Sequence, residues 1–490
     1  MNMAEDLAAL ALGRGWTDRP AYYEADRVIT HGQLHDLAAR AATVLADAGV
    51  TPARRVLIAL PDGIAWVTAF LATARLGATA VLVNPALTAA DHAFLAADSE
   101  TYLAVTEAPL ADRFTGIRHL DGAALPRLAA ARPPAPAAEV APDHPLYIQY
   151  TSGTTSRAKG VVHRHADPAA YHAGAGAQVL RIGPDDVTLS VSKLFYAYGF
   201  GNALAFPLHS GGSAVLVPGP PRPPVVAALV ARHRVSHLYA VPSALANLLA
   251  ETDPADFRSV RAVITAGEPL GAQLADRVGE FLGAPLYDQL GSTEAGHAIC
   301  TNGPACHVPG TVGRPAPGFR IELRDRAGRP VPDGTEGEMW VHGPTVTPGY
   351  LGRPAETARL IVDGWLNTRD RAVRNPDGTY RHLGRTDDLE MVGGITVSPL
   401  EIEQVLAGHP GVRDVAVASI GNERGATKLR AFVVPRRPVS DPEAFATELT
   451  GLARRRLAPY KVPRGVELVP SLPRTATGKL QRFLVRQGSW

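Results

Sequence analysis

Cysteine is nearly absent from this chain. Cys300 and Cys306 are the only two in 490 residues, which excludes a disulfide framework and suits a reducing compartment. A charge excess is missing too: lysine and arginine number 49 against 47 acidic residues, a formal net charge of +2. No nucleic acid and no anionic membrane surface is therefore expected as a partner. Long apolar runs are also lacking. Leu7 to Leu12 follows Glu5 and Asp6 rather than a basic segment and is too short for a signal core or a membrane span, so a cytoplasmic protein is expected. There is no repeat with a period of about 20 to 50 residues. No G-x-S-x-G is found, so an α/β-hydrolase would lack its nucleophile elbow. His297, Cys300, Cys306 and His307 lack the paired C-x-x-C of a zinc knuckle, and Gly174-Ala175-Gly176 does not complete a dinucleotide fingerprint.

What is present is an ordinary globular composition, 46% hydrophobic and 20% charged, long enough for roughly three units of about 150 residues. From residue 33 to about 290, helical periods such as Leu34, Leu37, Ala41, Val44, Leu45 and Trp66, Val67, Phe70, Leu71, Ala74 alternate with short apolar runs. These runs are Val56 to Leu60, Ala80 to Val83, Leu146 to Tyr150, Val187 to Val191, Ala214 to Val217, Leu238 to Val241 and Val260 to Thr265. Largely apolar strands are those covered on both faces, so the expectation is an α/β fold with mostly parallel sheets. Ala131 to Pro142 reads as a proline and alanine loop. Gly310 to Tyr350 has strands punctuated by glycine and proline and no long helical period, which predicts a β-rich subdomain. In Ser398-Pro399-Leu400-Glu401 a capping serine precedes a proline and then a glutamate, so a helix should start at Pro399. Strands at Val412 to Ile420 and Leu429 to Val434 and a helix from Pro442 to Arg456 complete a small α+β domain. The expected division is a large N-terminal domain, 1–386, and a mobile C-terminal one, 387–490, joined through the polar segment Gly384 to Asp388.

The strand Leu146 to Tyr150 runs directly into Thr151-Ser152-Gly153-Thr154-Thr155-Ser156-Arg157-Ala158-Lys159-Gly160. Hydroxyls, glycine backbone and two cations in one turn are what phosphate oxygens need. The P-loop is excluded, because its glycine before the lysine and its serine or threonine after are both missing.

Tyr150 to Thr155 with Lys159-Gly160 closely resembles the signature of the adenylate-forming superfamily of acyl-CoA synthetases, luciferases and adenylation domains. Gly267-Glu268-Pro269, Gly291-Ser292-Thr293-Glu294, Thr368-Arg369-Asp370, Gly384-Arg385-Thr386-Asp387-Asp388 and Pro473 to Lys479 come after it in the family's order. Ser192 to Asn202, Val397-Ser398-Pro399 and Thr475 to Arg482 look most like the benzoate and hydroxybenzoate CoA ligases.

The resemblance implies ATP, Mg²⁺ and CoA, or the pantetheine of a carrier protein, as cofactors, with an aryl carboxylate as substrate. It assigns the β and γ phosphates to Thr151, Ser152, Gly153, Thr154, Thr155 and Lys159, the α-phosphate to Thr293 and the metal to Glu294. Gly267, Glu268, Pro269, Asp288, Gln289, Leu290, Gly291 and Ser292 complete the nucleotide site. Asp370 matches the acceptor of both ribose hydroxyls, suited to an ionised carboxylate, with Arg385 at ribose or phosphate. Lys479 matches the catalytic lysine, whose compact ammonium touches the substrate carboxylate and the α-phosphate together. The aryl pocket is assigned to Phe195, Ala197, Tyr198, Gly199, Ala266, His297 and Ala298, where small residues at 266 and 298 leave room for a ring substituent. Phe195 taken alone suits the core equally well. The hinge is assigned to Asp387 and the thiol tunnel to Gly393 and Gly394.

The chain departs from the family's pattern at Ser156, Ala158, Leu290, Arg369 and Gly393, none of which removes a charged group. The implied activity is an AMP-forming aryl acid:CoA ligase. A stand-alone enzyme loading an aryl group onto a carrier protein is the alternative. A non-catalytic nucleotide-binding protein is disfavoured by the retained Glu294, Asp370, Arg385 and Lys479.

Overall fold

The computed structural model describes residues 1–151, 158–386, 390–392, 395–421, 427–474 and 480–488. Its apolar runs are strands buried on both faces: every residue of Thr79–Leu82, Leu103–Thr106, Ser213–Leu216 and Ala262–Thr265 is buried. They assemble into two sheets, one of nine strands and one of six. In the nine-stranded sheet, Leu286–Gly291, Ala262–Thr265, His237–Tyr239, Val187–Ser190, Ser213–Leu216 and Pro20–Glu24 are parallel neighbours in that order, with antiparallel strands at both edges. In the six-stranded sheet, Arg118–Asp121, Leu103–Thr106, Arg55–Ala59, Thr79–Leu82 and Pro145–Thr151 are parallel. Lys159–Arg164 closes its edge as an antiparallel partner of Pro145–Thr151.

The two sheets share one core. The helix Ile64–Arg75 is apolar all round and buries every residue except Ala65 and Arg75, as a helix covered on all sides must. Its side chains join Tyr22, Ala214 and Leu216 from one sheet and Val56, Ile58, Ala80 and Leu82 from the other. The helix His31–Asp47 begins at a capping box of Thr30 and Gln33 and turns Leu34, Ala38, Ala41 and Leu45 toward the same core. The loop Ala131 to Pro142 is a strap across these helices, with Ala135 N–H donating to Ala39 and Ala138 N–H to Arg75.

Leu7 to Leu12 lies in the helix Met3–Gly13, capped by Asn2, with Met3, Ala4, Leu7 and Ala11 buried. Among the described residues no helix is long and apolar enough to cross a membrane. The region rich in glycine and proline joins the chain up to Arg385 in a five-stranded antiparallel sheet of Arg320–Arg324, Glu336–His342, Trp365–Arg374, Ile361–Val362 and Tyr380–Arg385. The smaller C-terminal unit is a three-stranded sheet, Val412–Gly421, Thr427–Pro435 and Gly465–Leu468. Ile402, Leu406, Leu449 and Ala453 from the helices Pro399–Ala407 and Pro442–Arg456 cover one face, and Val485 of Arg482–Gln487 joins the other.

Two local expectations are corrected. Gly384 and Arg385 are not linker. They end the strand Tyr380–Arg385, paired with Arg371 and Asp370, because ladder hydrogen bonds satisfy this polar segment without apolar anchors. Ser398 does not cap the helix that begins at Pro399. Its hydroxyl donates instead to the Leu383 carbonyl at 2.9 Å, and Glu401 accepts from Lys461 Nζ at 2.5 Å. Proline at the first position removes one of the N–H groups that a helix start leaves unpaired.

Candidate active site

Four parallel neighbours of the nine-stranded sheet point the same way, so their carboxyl ends deliver four segments to one edge. Val187–Ser190 leads to Ser192 through Gly199, His237–Tyr239 to Ser243, Ala262–Thr265 to Ala266 through Pro269, and Leu286–Gly291 to Ser292 through Ala298. In open α/β sheets this edge is where ligands bind.

The aryl segment contributes a flat wall. Tyr198 sits in the helical turn Ala197–Phe200, which continues as the π-helical Gly201–Ala205, a geometry that recurs at functional sites. Its hydroxyl donates to the Ile264 carbonyl at 3.0 Å, and its ring stacks on His297 with centroids 5.8 Å apart and planes 25° apart. A Cβ on Gly199 would run into the carbonyls of Lys193 and Ser192, and one on Gly201 into the His297 ring. His297 Nε2 lies 3.0 Å from Asn202 Oδ1, and burial pushes the ring down to about 4. It is therefore neutral at pH 7, with Nε2 facing the Asn202 side chain. Ala266 and Ala298 are both buried.

Phe195 is also buried, but its ring meets Tyr196 edge-on at 4.6 Å. Among the described residues its ring pairs with Tyr196, and it shares a core cluster with Tyr198. The segment's start is clamped by Lys193, which donates to the carbonyls of Val217 at 2.5 Å and Gly219 at 2.7 Å, and by Asp62, which accepts from Leu194 N–H at 3.1 Å.

Among the residues expected to hold the nucleotide, Thr151 and Lys159 are opposed across a hairpin. Ser152, Gly153, Thr154 and Thr155 lie outside the described residues, as do Asp387, Gly393, Gly394 and Lys479. Lys159 pairs with Glu356, and its ammonium sits 5.3 Å from the centre of the Tyr350 ring. The Tyr350 hydroxyl donates to Glu294 Oε1 at 2.8 Å. Glu294 follows Ser292, whose hydroxyl accepts from Ala295 N–H at 3.1 Å, and the Thr293 carbonyl meets His163 Nε2 at 2.8 Å. Gly267 has φ +89, which demands glycine. Glu268 accepts from the Ser243 N–H and hydroxyl at 2.9 Å each, and Pro269 comes next.

Asp370 and Arg385 are register partners on adjacent strands. Asp370 takes a second contact from His382 Nε2 at 3.1 Å. Asp288 is pushed up to about 7 by burial, against a backbone hydrogen bond from Gln289 and the charge of His382. Its own charge acts on Tyr198, so Asp288 stands between His382 and the Tyr198 ring. Gln289 Nε2 donates to Thr301 Oγ1 at 2.6 Å. Leu290 packs onto the core of the β-rich region with Cys300 and Met339, and Gly291 pairs with Ala298.

Residues 11–351 match the family model of the AMP-binding enzyme, and residues 401–479 match the AMP-binding enzyme C-terminal domain. The chain belongs to the AMP-binding enzyme family. It is 40% identical over 486 residues to p-hydroxybenzoic acid–AMP ligase FadD22 of Mycobacterium marinum, covering 99% of this chain and 69% of that protein. With the 4-hydroxybenzoate–CoA/benzoate–CoA ligase of Rhodopseudomonas palustris it shares 36% identity, covering 99% of this chain and 94% of the relative. Among solved structures it superposes on the anthranilate CoA ligase AuaEII bound to anthranoyl-AMP with a TM-score of 0.94 at 30% identity, covering 100% and 97% of the two chains. A benzoate CoA ligase from Burkholderia xenovorans LB400 gives 0.92 at 34% identity, covering 99% and 100%.

In this AMP-binding enzyme the contacts that sequence reasoning missed are those of Tyr350, Glu356, His382 and Ser243. Each touches a motif residue from another strand or segment. A register shift between Arg371 and Ala372 separates Asp370 from simple strand alternation, so no spacing announced His382. Asn202, which holds His297, is within the aromatic and glycine segment, and its complete burial is the signal that would have singled it out.

Proposed function

We propose that this chain activates an aryl carboxylic acid of the benzoate type with ATP, forming an acyl-adenylate and releasing pyrophosphate, and then transfers the aroyl group to the thiol of CoA with release of AMP. The observation that carries this is the stacked Tyr198–His297 pair at the same sheet edge as Glu294, with Asp288 of that edge acting on Tyr198 and itself acted on by His382, the partner of Asp370. A flat ring lies against one part while a nucleotide is held by the other.

Both reactants of the first step are anions, so the residues position and neutralise charge more than they move protons. The aryl carboxylate oxygen attacks the α-phosphorus, the bond to the bridging oxygen breaks, and pyrophosphate departs. Asp370 accepts the ribose hydroxyls and Arg385 lies beside it. Thr151 to Thr155 and Lys159 hold the outer phosphates. Glu294 is a hard oxygen donor that fits Mg²⁺ shared with phosphate oxygens, and the ion, when bound, supplies further neutralisation of the triphosphate. Lys479, carried on the C-terminal unit, approaches the reacting oxygens by closure about Asp387. In the second step the unit turns and Gly393-Gly394 line the thiol's approach. Ala266 and Ala298 leave space for a ring substituent, which favours a substituted benzoate.

A second acceptor is favoured by one relative: FadD22 is named an AMP ligase rather than a CoA ligase. On that reading the thiol is the pantetheine of a carrier protein. Acid-dependent pyrophosphate exchange across benzoates with para and meta substituents tests the first step, and strict preference for an aliphatic acid would refute it. Free CoA compared with a set of holo carrier proteins then decides the acceptor.

A further inference from the structure

The segment from Thr345 to Leu351 stitches together two parts of the site that lie far apart in sequence. On one side the Thr345 hydroxyl donates to the Ala295 carbonyl at 2.7 Å and Thr347 N–H to that of Glu294 at 2.8 Å. On the other, the Thr347 hydroxyl donates to Val162 at 2.6 Å, and Val162 N–H to the Gly349 carbonyl at 3.2 Å. Leu351 N–H donates to Gly160 at 2.8 Å, so the strand leaving the phosphate hairpin is bound as well. Gly349 has φ +146, and a Cβ there would run into Thr357, whose hydroxyl accepts from Tyr350 N–H at 3.0 Å. The Tyr350 backbone is thus fixed from both directions.

Its side chain spans the same gap. The hydroxyl occupies Oε1 of Glu294 at 2.8 Å, and the ring face lies 5.3 Å from the Lys159 ammonium. We infer that Tyr350 is a positioning residue that holds Glu294 and Lys159 at the separation a metal–triphosphate needs. The hydroxyl orients the carboxylate by engaging one oxygen and leaving the other to a cation. The ring face keeps the ammonium beside it, while Glu356 holds it from another direction. The inference rests on the nucleotide reading of the site and divides Tyr350 into two separable functions.

The division is tested on the full chain with Mn²⁺ as the probe. Mn²⁺ binding to the protein–ATP complex is followed by paramagnetic resonance, ATP binding in EDTA by calorimetry, and folding by thermal unfolding. Tyr350→Phe keeps the ring and loses the donor. It should weaken Mn²⁺ binding about three- to tenfold while metal-free ATP affinity stays within about twofold. Tyr350→Leu should weaken both. Wild-type Mn²⁺ affinity in Tyr350→Phe would overturn the inference, and so would equal loss of both affinities in both variants with a matching fall in thermal stability. If the wild-type chain itself bound no ATP, the nucleotide reading would fall, an outcome distinct from a binding wild type with an unaffected Tyr350→Phe.

Discussion

His382 and Asp370 meet across adjacent antiparallel strands, Nε2 to Oδ1 at 3.1 Å. Burial pushes the Asp370 carboxyl up, but the His382 hydrogen bond and charge, with Arg385 and Thr368, outweigh it and hold the group below its ordinary 3.8. Asp370 is therefore ionised throughout the neutral range, which suits its proposed role as acceptor for two ribose hydroxyls. Asp370→Asn should raise the ATP dissociation constant about tenfold with little change in the KM of the aryl acid. The stability that Asp370 contributes is complete above pH 3.8 and fades as pH falls through its lower folded value. The difference in unfolding free energy between wild type and variant should accordingly shrink only in strong acid. A difference that stays constant through strong acid, or one that shrinks already near neutral pH, would contradict the pairing.

Buried histidines set the acid side of the stability profile. Burial pushes His35, His165, His172, His209 and His297 down to about 4, and Asp62 and Asp288 up to about 6 and about 7. Each histidine contributes stability that is whole above its ordinary 6.5 and is lost as pH falls toward 4. The two aspartates act oppositely, losing stability as pH rises toward 6 and 7. Near pH 5 the histidines win, with a net uptake of about three protons on unfolding. The urea midpoint should thus fall from pH 7 to pH 5 well before ordinary carboxylates titrate. A flat profile over that interval would refute this balance.

Gly199 is a position where one methyl group matters. A Cβ would meet the carbonyls of Lys193 and Ser192, in a segment whose start is clamped by Lys193 and Asp62. Gly199→Ala should displace Tyr198, raising the KM of the aryl acid about tenfold or more while that of ATP changes less than about twofold. Steady-state kinetics with each substrate varied in turn would check this, and equal effects on both would show general unfolding instead.

Arg474, just before the segment that carries Lys479, joins Asp414 at 2.8 Å and approaches Glu268 at 4.0 Å. Arg474 is thus tied to both units of the chain. Lys479→Ala should abolish acid-dependent pyrophosphate exchange while preserving thioester formation from supplied acyl-adenylate. Loss of both half-reactions in equal measure would contradict the division of labour.

Much of this was legible in the amino-acid order. Apolar runs such as Val56 to Leu60 announced strands covered on both faces, and the helix Pro442–Arg456 starts and ends where expected. The motif residues Thr293, Glu294 and Asp370 declared themselves through neighbours in sequence. Tyr350 and His382 did not, because their partners come from other segments and depend on backbone register, which local spacing does not encode. Phe195 was ambiguous for a similar reason: hydrophobicity says that it is buried, and only packing says that it turns to Tyr196.

The hydrogen bond from Ser398 to Leu383 closes a short circuit around the joint between the two units. The proposed swing of the C-terminal unit must either drag the end of the strand Tyr380–Arg385 along or let go of that carbonyl. On release, the serine regains its chance to bond the first turn of its own helix, so one clasp is exchanged for another and the turned orientation loses less than a simple rupture would imply.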